Sequence, residues 1–241
     1  MTLEKELVSS STTDRKLLKK TSRQAGLIYF LFSIIAVIGE FFFPAFLVSG
    51  DTAATANNIS SNQFIYRTEI LIGFITHMMF IILVVWLYNL FKEVNKKQAM
   101  LMLILVIVGI STAIANLFNK VAPLVILSGT DYLSVFTKDQ TDALITGFLR
   151  FHSKCSVIVT IFWGLWLFPF GFLVIKSGFI PKLFGILLWV AGLAYFIGSI
   201  TALVSPSVRQ VISPFLMPLY FGEIPIIFWL LVKGISEPKQ N

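Results

Sequence analysis

The chain has 241 residues, 56% of them hydrophobic and only 13% charged, with a mean hydropathy of +0.85. Soluble globular domains carry about 25% charged residues, so the composition excludes a soluble enzyme or binding domain and points to an integral membrane protein. The net charge of +7 is not a nucleic-acid footprint, because the basic residues gather at the ends of apolar runs, where they set topology and meet anionic lipid.

An N-terminal tail, residues 1–25, holds Lys5, Arg15, Lys16, Lys19, Lys20 and Arg23. The first apolar run, Gly26–Val48, is too long for the apolar centre of a signal peptide, and no small-x-small cleavage site follows it. It reads as a transmembrane helix, since about 20 helical residues cross a ~30 Å hydrocarbon core. Glu40 lies in it, and Pro44 removes the hydrogen bond to the Glu40 carbonyl. In the loop "SGDTAATANNISSNQ", Gly50 suits a left-handed cap and Asp51 suits the N-cap of a short interfacial helix. Asn58-Ile59-Ser60 matches a glycosylation sequon, a short and common motif.

The second span is Glu69–Phe91, with His77 inside it. The short link "KEVNKKQ" makes its neighbour antiparallel. The third span, Met100–Leu127, contains Asn116, Asn119 and Lys120, and Pro123 frees the Asn119 carbonyl. The loop "SGTDYLSVFTKDQTD" repeats the cap grammar at Gly129 and Asp131, and Thr137-Lys138-Asp139-Gln140 fits a capping box that would extend the fourth span outward. A long outward extension of the second span is expected as well. The fourth span, Ser153–Ile175, has Arg150 and His152 at its mouth and the single cysteine, Cys155, near its start, which reads as a small core residue. "KSGFIPK" links it to the fifth span, Lys182–Val204. Gly164 and Gly171 in the fourth, with Gly185, Gly192 and Gly198 in the fifth, form faces for close helix contact within a bundle or a homo-oligomer. The sixth span is Ile212–Val232, carrying Glu223 and a Pro225 that frees the Phe221 carbonyl. Residues 236–241 form a short tail.

The expected architecture is therefore all-α: one six-helix transmembrane domain over residues 26–235. Thirteen of the 19 basic residues fall on the side of the two termini, so the positive-inside rule places both ends in the cytoplasm and the chain in the cell membrane.

Charge inside a span is costly and usually functional. At ~1.5 Å rise per residue, Glu40 and His77 lie about 12 Å below the outer surface, Asn116 and Glu223 about 16 Å, and Lys120 about 10 Å. Together with Asn119 they are the candidate ligand- or proton-binding residues of one outward-facing polar cavity, with Glu69, Arg150 and His152 at its rim. Pairing of Lys120 with Glu40 or Glu223 would lower the cost of burial. Carboxylate and freed carbonyl oxygens suit a hard cation or a proton relay, and the cavity would bind or pass a small ligand, an ion or a proton. A purely structural role is the competing reading: kinked helices whose acids bond across to Asn, Ser or Trp.

An intramembrane enzyme acting on a lipid or a metal-bound substrate is the alternative, using a carboxylate with His77 or His152. Two histidines fall short of a three-His zinc site, and no HExxH, GxSxG or Walker motif is present. No metal or cofactor is implied. A structural or sensory subunit is the third reading.

Several blocks together carry a resemblance: "IGEFFF" (38–43), "SGDTAATANNI" (49–59), "SGTDYLSVF" (128–136), "FLVIKSGFIPKLFGILLWVAGLAYFIGS" (172–199) and "FGEIPIIFWLLVKG" (221–234). In these the chain resembles the bacterial domain-of-unknown-function 4386 membrane family, from about residue 24 to 235. The resemblance implies a multi-pass membrane protein and brings no assigned activity. Its pattern includes the Gly39-Glu40 and Gly222-Glu223 pairs and the Lys176-Ser177-Gly178 link.

Overall fold

A computed structural model describes residues 2–129 and 133–235, with side chains from residue 18 onward. Every regular element among the described residues is helical, and six helices are long and apolar enough to cross a membrane. The chain is a multi-pass membrane protein.

The first span belongs to α1, Thr2–Phe41. The run Phe42–Val48 stays apolar but is not helical, so Pro44 stops the helix rather than kinking it. The last helical bond in this region runs from the Phe42 N–H to the Ile38 carbonyl at 3.1 Å. Gly50 takes φ +81°, where a side chain would be strained. Asp51 then accepts a hydrogen bond from Ala54 N–H at 2.8 Å and starts α2, Thr52–Ser61. This is the short helix its N-cap grammar requires.

The second span is α3, Gln63–Phe91, and the third is α4, Lys96–Ile126, with Pro123 inside it. The Asp131 cap lies outside the described residues. Thr137 and Gln140 form both halves of a capping box, and α5 runs from Lys138 to Leu165. The second and fourth spans are therefore extended at the end of the bundle away from the termini. The fourth span continues as α6, Leu167–Ser177, after a break at Trp166. Pro169 accounts for it, because its nitrogen cannot donate to the Leu165 carbonyl. The fifth span is α7, Lys182–Val204.

The sixth span is broken twice. It comprises α8, Pro206–Leu216, a 3-10 stretch, Met217–Glu223, and α9, Ile224–Val232. Pro218 and Pro225 withdraw the donors that would bond the carbonyls of Pro214 and Phe221. The chain tightens into 3-10 winding between them.

Glycines bring helices into backbone contact. A Cβ on Gly164 would lie 2.8 Å from the Gly192 carbonyl oxygen, and one on Gly171 would lie 2.6 Å from that of Gly185. The α5–α6 and α7 glycine faces thus meet each other. A Cβ on Gly26 would lie 2.3 Å from Leu231 N, so α1 and α9 touch in the same way. At that end Arg23 donates to the Val232 carbonyl at 2.9 Å.

Buried side chains form two clusters. The larger lies between the spans and includes Tyr29, Leu83, Leu87, Val106, Trp166, Phe170, Leu188 and Leu230. The smaller one, of Phe46, Ala56, Ile59, Tyr66, Ile145 and Leu149, seals α2 against the extended ends of α3 and α5. It explains why the non-helical run after Phe41 is apolar: Phe46 meets Tyr66 edge-on, with ring centroids 4.9 Å apart. The outward faces of the spans, such as those carrying Leu71, Phe118 and Leu193, stay exposed for lipid.

Candidate functional site

The central cavity

A cavity of about 510 Å³ lies between α1, α3, α5, α7 and the 3-10 stretch with the start of α9. Glu40, His77 and Glu223 all line it. They come from the first, second and sixth spans, so the two Gly-Glu pairs do share one space.

Each polar group is held by its helix. Glu223 is the last residue of the 3-10 stretch, immediately before α9. Gly222 allows its close approach to α7, because a Cβ there would lie 2.5 Å from the Leu187 carbonyl oxygen. The Tyr29 hydroxyl on α1 donates to Glu223 Oε2. Tyr29 is 1% exposed, so this bond ties the first span to the last inside the bundle. His77 Nδ1 bonds the Gly73 carbonyl at 2.5 Å. A carbonyl only accepts, so Nδ1 carries the proton and a neutral ring keeps Nε2 as an acceptor. No described hydrogen bond or ion pair engages Glu40, which is exposed at the end of α1.

The rest of the wall is aromatic. Phe32 stacks on Phe80 at 4.8 Å, Phe80 meets Trp163 and Trp166, each at 5.2 Å, and His77 stacks on Trp163 at 6.2 Å. Opposite them Tyr195 stacks on Tyr220 at 4.5 Å. Arg209 donates to the Tyr220 hydroxyl at 3.1 Å and steadies that ring from behind.

The second polar group

Lys120, Asn116, Asn119, Glu69 and His152 form a separate group between α3, α4 and α5. Lys120 pairs with Glu69, both being 17% exposed, and not with Glu40 or Glu223. The Asn116 amide donates to the His152 carbonyl and to Ser156 Oγ, both at 3.0 Å. Asn119 donates to Asn116 Oδ1 at 3.0 Å. His152 Nδ1 bonds the Asn116 carbonyl at 3.1 Å, and the Tyr66 hydroxyl donates to the Lys120 carbonyl at 2.8 Å. These bonds join α3, α4 and α5 to one another, which is the chemistry of a structural brace. Arg150 is exposed on α5 and enters neither group. His77 and His152 thus belong to different groups, and among the described residues no three His, Cys, Asp or Glu side chains gather as metal ligands.

Residues outside the sequence reading complete the picture. Tyr29 is the partner of Glu223, and nothing in an apolar run marks one tyrosine as inward. Arg209, on α8, reaches that wall from outside the cavity through the Tyr220 hydroxyl. Asp142, 5% exposed, bonds Lys138 at 2.5 Å one turn earlier.

The fold and site define a multi-pass α-helical membrane protein with an aromatic-walled, acid-bearing cavity among its spans. The chain belongs to the family described as a domain of unknown function (DUF4386), whose model matches residues 24–234. A protein of Archaeoglobus fulgidus described only as uncharacterized is 28% identical over 158 residues, covering 65% of this chain and 94% of that one. No solved structure matches.

Proposed function

We propose that this protein binds, or passes, a small ligand or cation through the central cavity. Glu40 and Glu223 are the groups that meet it, and His77 lies beside them. The observation that carries the reading is that Glu40, His77 and Glu223, from three separate spans, line one space of about 510 Å³. That size falls within the usual range of small-molecule sites, and an apolar wall with a few convergent polar groups is their usual composition. Lys120, Asn116, Asn119, Glu69 and His152 act in this reading as the brace that fixes α3, α4 and α5 around it. Both termini lie in the cytoplasm, with the cavity nearer the outer surface of the cell membrane.

Ser33 tests whether solutes enter, because it lines the cavity wall and Ser→Cys changes little volume. In a Cys155→Ser background, Ser33→Cys is expected to react with 2-aminoethyl methanethiosulfonate in intact membranes. A thiol that reacts only after the protein is denatured would end the proposal. Reporter fusions at the two ends check the orientation, and an outward-facing terminus would reverse it.

A further inference from the structure

We infer that the ligand is an organic ammonium ion: a protonated amine on a small apolar or aromatic body. The inference rests on the cavity reading above and asks which chemistry the cavity lacks. Three of the hydroxyls that line it are committed as donors. Ser33 Oγ donates to the Tyr29 carbonyl at 2.9 Å, Thr76 Oγ1 donates to the Ile72 carbonyl at 2.8 Å, and Tyr29 donates to Glu223. The open groups that can carry charge are acceptors, and the only open donors beside them are neutral: the Tyr195 and Tyr220 hydroxyls and the indole N–H groups of Trp163 and Trp166, among the described residues. The Glu40 carboxylate has no described partner, Glu223 has one oxygen beyond the one Tyr29 holds, and His77 keeps Nε2. No lysine or arginine lines the cavity, and Arg209 meets its wall only through the Tyr220 hydroxyl.

The charge lining this space is therefore carboxylate only, and the ligand that matches it brings positive charge. An anion would meet unpaired carboxylate oxygens and a neutral acceptor only neutral donors, whereas an ammonium N–H meets a charged acceptor, the stronger type of hydrogen bond. The wall suits the same ion. Trp163, Trp166, Phe32 and Phe80 line the cavity, and a cation over an aromatic face is attracted by the ring quadrupole, most strongly when water is excluded. The aromatic wall would also cover the apolar body of the ligand. A bare metal ion would leave most of that aromatic surface unused, which is why the inference favours an organic cation.

A matched series tests it: 2-phenylethylammonium, 2-phenylethanol and phenylacetate, of similar shape with positive, neutral and negative ends. Binding is measured by isothermal titration to the full chain in phosphatidylcholine nanodiscs, with empty nanodiscs subtracted. The ammonium should bind about tenfold or more tightly than the alcohol, and phenylacetate most weakly. Glu223→Gln, which keeps an oxygen for Tyr29, and Glu40→Gln should each erase that preference. If Glu223→Gln fails to fold, Glu40→Gln, at an exposed helix end, carries the comparison. Equal binding of alcohol and ammonium overturns the ammonium assignment and leaves the cavity reading standing. So does absence of binding by all three when Ser33→Cys still reacts. If Ser33→Cys is unreactive as well, both fall. A preference that survives both substitutions locates the ammonium elsewhere and overturns the inference.

Discussion

Gly164 lies between Trp163 and Leu165 on α5, against α7. Its replacement by alanine is the sharpest test of how the cavity wall is held. The new Cβ would lie 2.8 Å from the Gly192 oxygen, 3.0 Å from Tyr195 Cβ and 3.1 Å from Phe196 N. Ordinary contact begins near 3.4 Å, so α5 and α7 must part by about 0.6 Å. The nearest atoms are backbone and Cβ, which cannot rotate away. Overpacking of this kind costs about 1–3 kcal/mol, against about 1 kcal/mol that alanine returns in helix propensity. The net expectation is a loss of up to about 2 kcal/mol, or about 1–3 kcal/mol relative to a glycine-to-alanine change that meets no contact. Gly147 on the same helix is the control, since a Cβ there meets nothing within 4 Å. Gly147→Ala should be neutral or stabilising by up to about 1 kcal/mol. Both are measured by reversible unfolding in mixed detergent micelles, followed by tryptophan fluorescence. If Gly164→Ala matches or exceeds Gly147→Ala in stability, the close α5–α7 approach is not what holds the wall.

Two further substitutions probe the polar groups by the same assay. Lys120→Met leaves the largely buried Glu69 without its cation and should cost about 3 kcal/mol, because breaking one side of a buried pair strands the other charge. Adding Glu69→Gln should recover a large part of that loss, and a double variant as unstable as the single would show that the pair is not coupled. Tyr29→Phe removes the donor to Glu223 and should cost about 1–3 kcal/mol. A variant indistinguishable from the parent would show that this bond does not tie the first span to the last.

The helices were legible because their signals are local. Asp51, the Thr137–Gln140 capping box and Gly178 each act within four residues, and an apolar run declares a span by length alone. The end of α1 was not legible to the same degree. Residues 42–48 are as apolar as the helix before them, but their apolarity serves the smaller buried cluster through Phe46, and hydropathy does not separate the two uses. The site divides along a similar line. Rise per residue gives depth, and depth grouped Glu40, His77, Lys120 and Glu223. Which neighbour a side chain faces is a rotation about the helix axis, set by packing between distant spans. That second coordinate sends Lys120 to Glu69 and Glu223 to Tyr29. The break at Trp166 lies inside one apolar run, so only Pro169 hinted at it.

The 3-10 stretch at Met217–Glu223 has a consequence for helical phase. Each 3-10 residue turns the chain by about 120°, against about 100° in an α-helix. Seven such residues advance the azimuth by roughly 140° beyond what an unbroken helix would give. The inward stripe of α8 and that of α9 are therefore different stripes, and one wheel drawn through residues 206–232 misassigns half of them. The stretch also acts as a coupler between winding and rotation. Adding or removing 3-10 turns there rotates α8 against α9, and it does so at the residues, Tyr220 to Glu223, that form one wall of the cavity.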